Sequence, residues 1–89
     1  MKPLSVIRKK WLYPILSYLY FNQSKRSFTE IKKALGLSTK VLADNLKVLQ
    51  NLKLVERELR GDRTTWYKLT EKGKRMLELL SQIEKLLKE

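Results

Sequence analysis

Leu12, Ile15, Leu16 and Leu19 recur at i, i+3, i+4 and i+7, a spacing that aligns them on one face of a helix. The helical pattern covers residues 4–22, with room for a short separate helix over Leu4–Lys9. Pro14 suits a start of the main helix near Trp11, because a first-turn proline forfeits no intrahelical hydrogen bond. Tyr13 and Tyr20, seven residues apart, give this helix a second apolar side, which is unusual for a surface helix. After a polar turn at Asn22–Arg26, Ser27-Phe28-Thr29-Glu30 fits a capping box, in which Ser27 accepts from the backbone and Glu30 reaches back. The short helix that follows is expected to turn Ile31, Ala34 and Leu35 inward. Gly36 stands where a left-handed residue would end it.

Ser38 is a strong N-cap for the next helix, whose apolar face is Val41, Leu42, Leu46, Leu49 and Leu52. Two helices joined by a tight turn with glycine, the second longer, make the helix-turn-helix pattern. Leu54–Leu59 and Thr64–Leu69 have strand character, and Gly61 in Arg60-Gly61-Asp62-Arg63 is expected to supply the permissive turn position. In the second strand Thr65, Tyr67 and Leu69 alternate with Thr64, Trp66 and Lys68. Thr70 then caps a last helix over residues 71–89, in which Met76, Leu80, Ile83 and Leu87 are spaced 4, 3 and 4. The predicted order is helix, helix, helix, hairpin, helix. This is a mainly α chain with a small β-hairpin wing (an α+β, winged helix-turn-helix architecture), read as a single domain over residues 1–89.

Composition sharpens that reading. A domain of 89 residues buries only ~60% of its unfolded surface, so burial in an oligomer would help it. The formal charge is +11, with 11 basic and 2 acidic side chains in residues 1–53 against 9 and 7 in residues 54–89. A polyanionic partner explains such asymmetry, since each neutralised phosphate releases condensed counterions; a basic, well-solvated surface is the alternative. Cysteine and histidine are absent, which excludes disulfides, thiol redox sensing, thiolate or imidazole metal sites and His- or Cys-dependent triads. Gly36, Gly61 and Gly73 stand too far apart for a phosphate-cradling loop. The carboxylates show no spacing for a metal or an acid–base pair. Trp11–Phe21 is too short to span a bilayer, and no small-residue cleavage site follows it. The chain is therefore expected to be cytoplasmic, without cofactor, metal or membrane partner, and not an enzyme.

The sequence resembles the HxlR-type winged-helix transcriptional regulators, relatives of the MarR group. The resemblance rests on Leu37-Ser38-x-Lys40-x-Leu42-x3-Leu46-x2-Leu49-x4-Leu54-Val55-x-Arg57 and on Tyr67-x-Leu69-Thr70-x2-Gly73. Lys10-Trp11 with Ile15-Leu16, and Phe28-x-Glu30-Ile31, agree with the family's earlier positions, and the match covers about residues 10–75. It implies a cytosolic homodimer that binds DNA through its third core helix and its wing. Three departures stand out. Lys53 replaces the usual glycine, the family's N-terminal cysteine is missing, and the wing between Val55 and Tyr67 is shortened.

At 100° per residue, Val41, Asn45, Val48, Leu49 and Leu52 fall on the same side of the third core helix as Leu42 and Leu46. Lys40, Ala43, Asp44 and Lys47 lie opposite. With Ser38 and Thr39 at the N-terminus, they form the expected reading face for the major groove of double-stranded DNA. Solvated charge is the plain alternative for Lys40 and Lys47, and Asp44 is better placed to pair with Lys40 at i, i+4 than to read a cytosine. Lys32 and Lys33 would touch phosphates, while Arg60 and Arg63, at the wing tip, would meet the backbone or a narrow minor groove. Lys25 and Arg26 fit contact and solvation equally. Trp11 and Tyr67 occupy positions expected to be buried, and Trp66 is unassigned. The dimer interface is expected to combine Tyr13 and Tyr20 with Met76, Leu80, Ile83 and Leu87, widened by Leu77, Leu79 and Leu86, on terminal helices of about 4–22 and 71–89.

The function these residues favour is a sequence-specific, double-stranded DNA-binding regulator, more often a repressor in such folds. A low-specificity architectural protein that coats DNA is one alternative, and a winged-helix protein-interaction module is another. No effector ligand is implied by any motif.

Overall fold

Pro14 lies in the first turn of α1 (Leu12–Phe21), and the first helical hydrogen bond runs from the Ile15 N–H to the Trp11 carbonyl at 3.1 Å. The missing proline N–H therefore leaves no gap in the helix. The computed structural model describes residues 11–22 and 24–88. The helical reading of residues 4–10, including the Leu4–Lys9 helix, lies outside the described residues, as does Glu89 at the end of the last helix. Within them, β1 (Lys25–Ser27), α2 (Phe28–Leu35), α3 (Thr39–Asn51), β2 (Val55–Leu59), β3 (Thr65–Leu69) and α4 (Glu71–Lys88) follow α1 in order. None of the helices among the described residues is long and apolar enough to cross a membrane.

The sheet is antiparallel with β3 in the centre, β2 on one side and β1 on the other. β1 corrects the sequence reading, which has a polar turn through Arg26. Ser24 takes a left-handed φ of 62° and its carbonyl accepts from the Leu69 N–H at 2.8 Å, which feeds Lys25–Ser27 onto the edge of β3. Lys25 pairs with Lys68, Arg26 with Tyr67 and Ser27 with Trp66. A three-residue strand without apolar alternation carries no periodic signal, so only its partner defines it.

The capping signals are realised. Ser27 and Glu30 complete the capping box at the N-terminus of α2, with Ser27 Oγ accepting from the Glu30 N–H at 3.2 Å and Glu30 Oε1 accepting from the Ser27 N–H at 3.0 Å. Gly36 ends α2 at φ 65°. Ser38 Oγ accepts from the Val41 N–H at 3.2 Å, and Thr70 Oγ1 accepts from the Gly73 N–H at 3.0 Å.

Lys53 closes α3 in a way glycine usually provides. At φ 62° it sends its N–H to the Gln50 carbonyl (2.9 Å), and the Leu54 N–H reaches the Leu49 carbonyl (2.9 Å). These are the paired bonds of a Schellman motif, and Leu49 and Leu54, one on each side, are both buried.

The core is continuous. Leu12, Ile15, Leu16 and Leu19 of α1 meet Ile31 of α2, Leu42, Leu46 and Leu49 of α3, Val55, Tyr67 and Leu69 of the sheet, and Leu77 of α4. Two inward assignments are corrected. Ala34 is exposed, leaving Ile31 buried and Leu35 half-buried on α2, and Val41 is 36% exposed at the open N-terminal end of α3. Trp11 is only half-buried and packs on the edge of the core.

Candidate nucleic-acid interface

Thr39, Lys40, Ala43, Asp44 and Lys47 share the exposed face of α3, opposite Leu42, Leu46 and Leu49. Lys40 Nζ and Asp44 Oδ2 stand 3.3 Å apart, an i, i+4 pair whose side chains are 86% and 66% exposed. Such a pair holds little energy in water, so Lys40 remains able to exchange its partner. Asn45 donates through Nδ2 to the Val41 carbonyl at 2.7 Å, which satisfies its amide within the helix. Ser38 is exposed while its Oγ serves the cap. On α2, Lys33 is exposed and Lys32 half-buried.

The wing tip is more ordered by side chains than its sequence suggests. Arg63, not Gly61, takes the left-handed conformation, at φ 67°. The Arg60 N–H donates to the Thr64 carbonyl and the Arg63 N–H to the Arg60 carbonyl, both at 2.9 Å. This is a three-residue hairpin loop in which a turn is followed by a left-handed residue. Asp62 Oδ1 accepts from the Thr64 N–H at 3.1 Å and from Thr64 Oγ1 at 2.6 Å, and Trp66 Nε1 donates to the same Oγ1 at 2.9 Å.

Arg60 is engaged on two sides. Its Nε lies 3.1 Å from Glu58 Oε2, and its guanidinium stacks 4.0 Å above the centre of the Trp66 ring. Glu58 also receives Lys25 Nζ at 3.0 Å, tying the wing to β1. Lys25 and then Arg60 hold the Glu58 carboxyl below the ordinary carboxylate range. Hydrogen bonds from Thr64 do the same for Asp62, and the backbone N–H of Ser27 does it for Glu30. Trp66, unassigned from sequence, is thus the platform for Arg60.

Arg57 is the residue that sequence reasoning passed over. The register sets it directly opposite Tyr67, so it projects to the same side of the sheet as that buried ring. It lines an open concavity of about 400 Å³ between α3 and the sheet, with Ala43, Lys47, Gln50, Asn51 and Tyr67. Beyond Val55 every residue of β2 is exposed, so no alternation along the strand marks which side faces α3.

At the ends of the chain, the expected interface residues divide. Met76, Leu80, Tyr13 and Tyr20 are half-buried, whereas Ile83 and Leu87 are 51% and 80% exposed. Leu77 is a core residue, not spare surface, because it turns toward α1. The Glu84 carboxylate of α4 lies beside the Tyr13 hydroxyl of α1 and, with partial burial, raises its pKa.

Four helices about a buried core, an antiparallel three-stranded sheet with a protruding hairpin, and the basic exposed face of α3 beside that hairpin define a winged helix-turn-helix protein. The HxlR-like helix-turn-helix family model matches residues 6–89, and the chain belongs to that family. It is 36% identical over 87 residues to the uncharacterised HTH-type transcriptional regulator YvaP of Bacillus subtilis strain 168, covering 94% of this chain and 79% of that protein. A possible HxlR family transcriptional factor from Thermoplasma volcanium superposes with a TM-score of 0.76 at 31% identity, over all of this chain and 84% of the other. MepR, a transcription regulator of the Staphylococcus aureus multidrug efflux pump MepA, superposes with a TM-score of 0.81 at 25% identity. That match covers 90% of this chain but only 60% of MepR. Family and fold are those of DNA-binding transcriptional regulators, not of enzymes.

Proposed function

We propose that this protein is a sequence-specific regulator of transcription, acting in the cytoplasm as a repressor that occupies promoter DNA. The observation that carries the proposal is the shared exposed face of Thr39, Lys40, Ala43, Asp44 and Lys47 beside the wing. A helix of this width fits the major groove, where Thr39, Lys40 and Ala43 reach base edges, Asp44 pairs with Lys40 beside them and Lys47 meets the backbone. Lys32 and Lys33 fix the orientation through phosphates, and Arg63 extends the contact from the wing. The protein binds as a homodimer through α1 and α4, with Tyr13, Tyr20, Met76, Leu80, Ile83 and Leu87 at the interface.

Selection of bound sequences from a random duplex pool tests the proposal. A short enriched motif supports a regulator, whereas continuous, length-dependent coating would identify an architectural protein. Absence of salt-sensitive duplex binding at micromolar concentration would point to a protein-interaction module. Lys40→Glu combined with Lys47→Glu should weaken binding at least tenfold at ~0.15 M salt with the helical signal unchanged, since two counterion-releasing charges become repulsive. Undiminished affinity would remove α3 as the docking element.

A further inference from the structure

The cations around the wing differ in what they already hold. Arg60 is paired with Glu58 and stacked on Trp66, Lys25 is paired with the same Glu58, and Lys40 is paired with Asp44. Lys47 and Arg57 have no ion pair among the described residues, and both line the concavity where the exposed face of α3 meets β2. Gln50 and Asn51 line it too, and their amides likewise make no side-chain hydrogen bond among the described residues. Tyr67 forms its floor, a rigid ring 6% exposed and in contact with Phe28 at a centroid distance of 6.3 Å. Two positive charges and two amides from different elements therefore converge on one open hollow without a protein acceptor. Glu56 and Glu58, the acids of β2, pair with Lys68 and Trp66 and so belong to the opposite side of the sheet. The hollow is left electrostatically positive.

We propose that Arg57 and Lys47 form a phosphate clamp at the junction of α3 and β2, closing on a DNA backbone phosphate while α3 occupies the groove. The proposal rests on the DNA-binding reading given above. Arginine suits the role because its planar fork accepts a phosphate with two parallel hydrogen bonds, and lysine adds a point charge. The position also explains how a short wing keeps a backbone contact. Arg57 sits at its base, where the strand is anchored by Val55, and not at its tip. Arg60 then serves to stiffen the hairpin, through Glu58 and Trp66, and is a positioning residue.

Salt titrations of binding to a linear mixed-sequence duplex several helical turns long test the clamp. Arg57→Gln removes the charge and shortens the side chain, leaving only an amide in place of the guanidinium fork. It should weaken binding three- to tenfold and reduce the slope of log affinity against log salt by about 0.9, the contribution of one phosphate contact. Lys47→Gln should act similarly, and Arg57→Lys should restore the slope while recovering only part of the affinity. Arg60→Gln should leave the slope unchanged. An unaltered slope in Arg57→Gln, with the parent protein binding normally, overturns the clamp and leaves the DNA-binding reading standing. A loss confined to particular sequences also overturns it, because a phosphate contact is blind to sequence. Failure of the parent protein itself to bind the duplex would overturn the DNA-binding reading and the clamp together.

Discussion

A methyl group at residue 73 would run into the carbonyl oxygen of Leu54 and come within 2.7 Å of Leu69 Cδ1. In an open helix, glycine to alanine stabilises by roughly 0.5–1 kcal/mol. Here the obstructing atom is backbone, the same carbonyl that accepts from the Thr70 N–H at 3.0 Å, so it has little freedom to yield. Overpacking at such a site costs about 1–3 kcal/mol, which exceeds the helical gain. Gly73→Ala should therefore lower the urea midpoint, and a raised midpoint would show that the α4–Leu54 contact is loose. Lys53 presents the opposite case. Its φ of 62° burdens a side chain that the hollow does not use. The left-handed conformation costs a non-glycine residue roughly 1–2 kcal/mol, against about 0.5–1 for the extra entropy of glycine. Lys53→Gly is expected to stabilise by about 0.5–1 kcal/mol and raise the thermal midpoint by a few degrees; an unchanged midpoint would mean that the Schellman bonds absorb the strain.

Among the elements, the wing combines order at its tip with exposure along its length. Glu58 and Asp62 both have folded-state pKa values below those of the unfolded chain. Their contribution to wing order is thus complete above the ordinary carboxylate range and is lost as pH falls through the lowered folded values. The hydrogen-bonded series Trp66–Thr64–Asp62 makes this visible, because the Trp66 indole N–H shares Thr64 Oγ1 with Asp62. The Trp66 indole resonance should shift at acid pH before the global unfolding transition, and Asp62→Asn should suppress that shift. Coincidence of the two transitions would mean that the wing melts only with the core. The same wing divides its arginines: Arg63→Ala should lower the salt slope of duplex binding by about one if it touches a phosphate, and an unchanged slope would show that the tip does not reach the backbone.

At the scale of the whole molecule, α1 and α4 leave apolar surface exposed among the described residues. Leu79, Ile83, Leu86 and Leu87 of α4 are exposed, and Phe21 at the end of α1 is 77% exposed. Tyr13, Tyr20 and Met76, half-buried nearby, connect these patches to the core. A two-fold interface would cover them and would place two copies of α3 about 34–36 Å apart, or a multiple of that, matching a pseudo-palindromic site. Sedimentation equilibrium at tens of micromolar should return a dimer mass, and Ile83→Asp should return a monomer with much weaker DNA binding. A monomer mass for the parent protein would reject the dimer.

Local chemistry determined much of this protein from sequence alone. The caps at Ser27, Ser38 and Thr70, the glycine end of α2 and the apolar faces of α1 and α3 each depend on residues within a few positions of one another, so their spacing suffices. The exposed face of α3 was legible for the same reason. What the tertiary structure decided depends on residues far apart in the chain. β1 exists because Leu69 and Tyr67 offer Lys25–Ser27 an edge, and Leu77 is core because α1 stands opposite it. Trp66 acquires its role from Arg60 and a cross-strand glutamate, and Arg57 faces α3 because pairing with Tyr67 turns it there. Strand register and helix docking assign each side chain its face of the sheet, and neither is set by the few residues on either side of it.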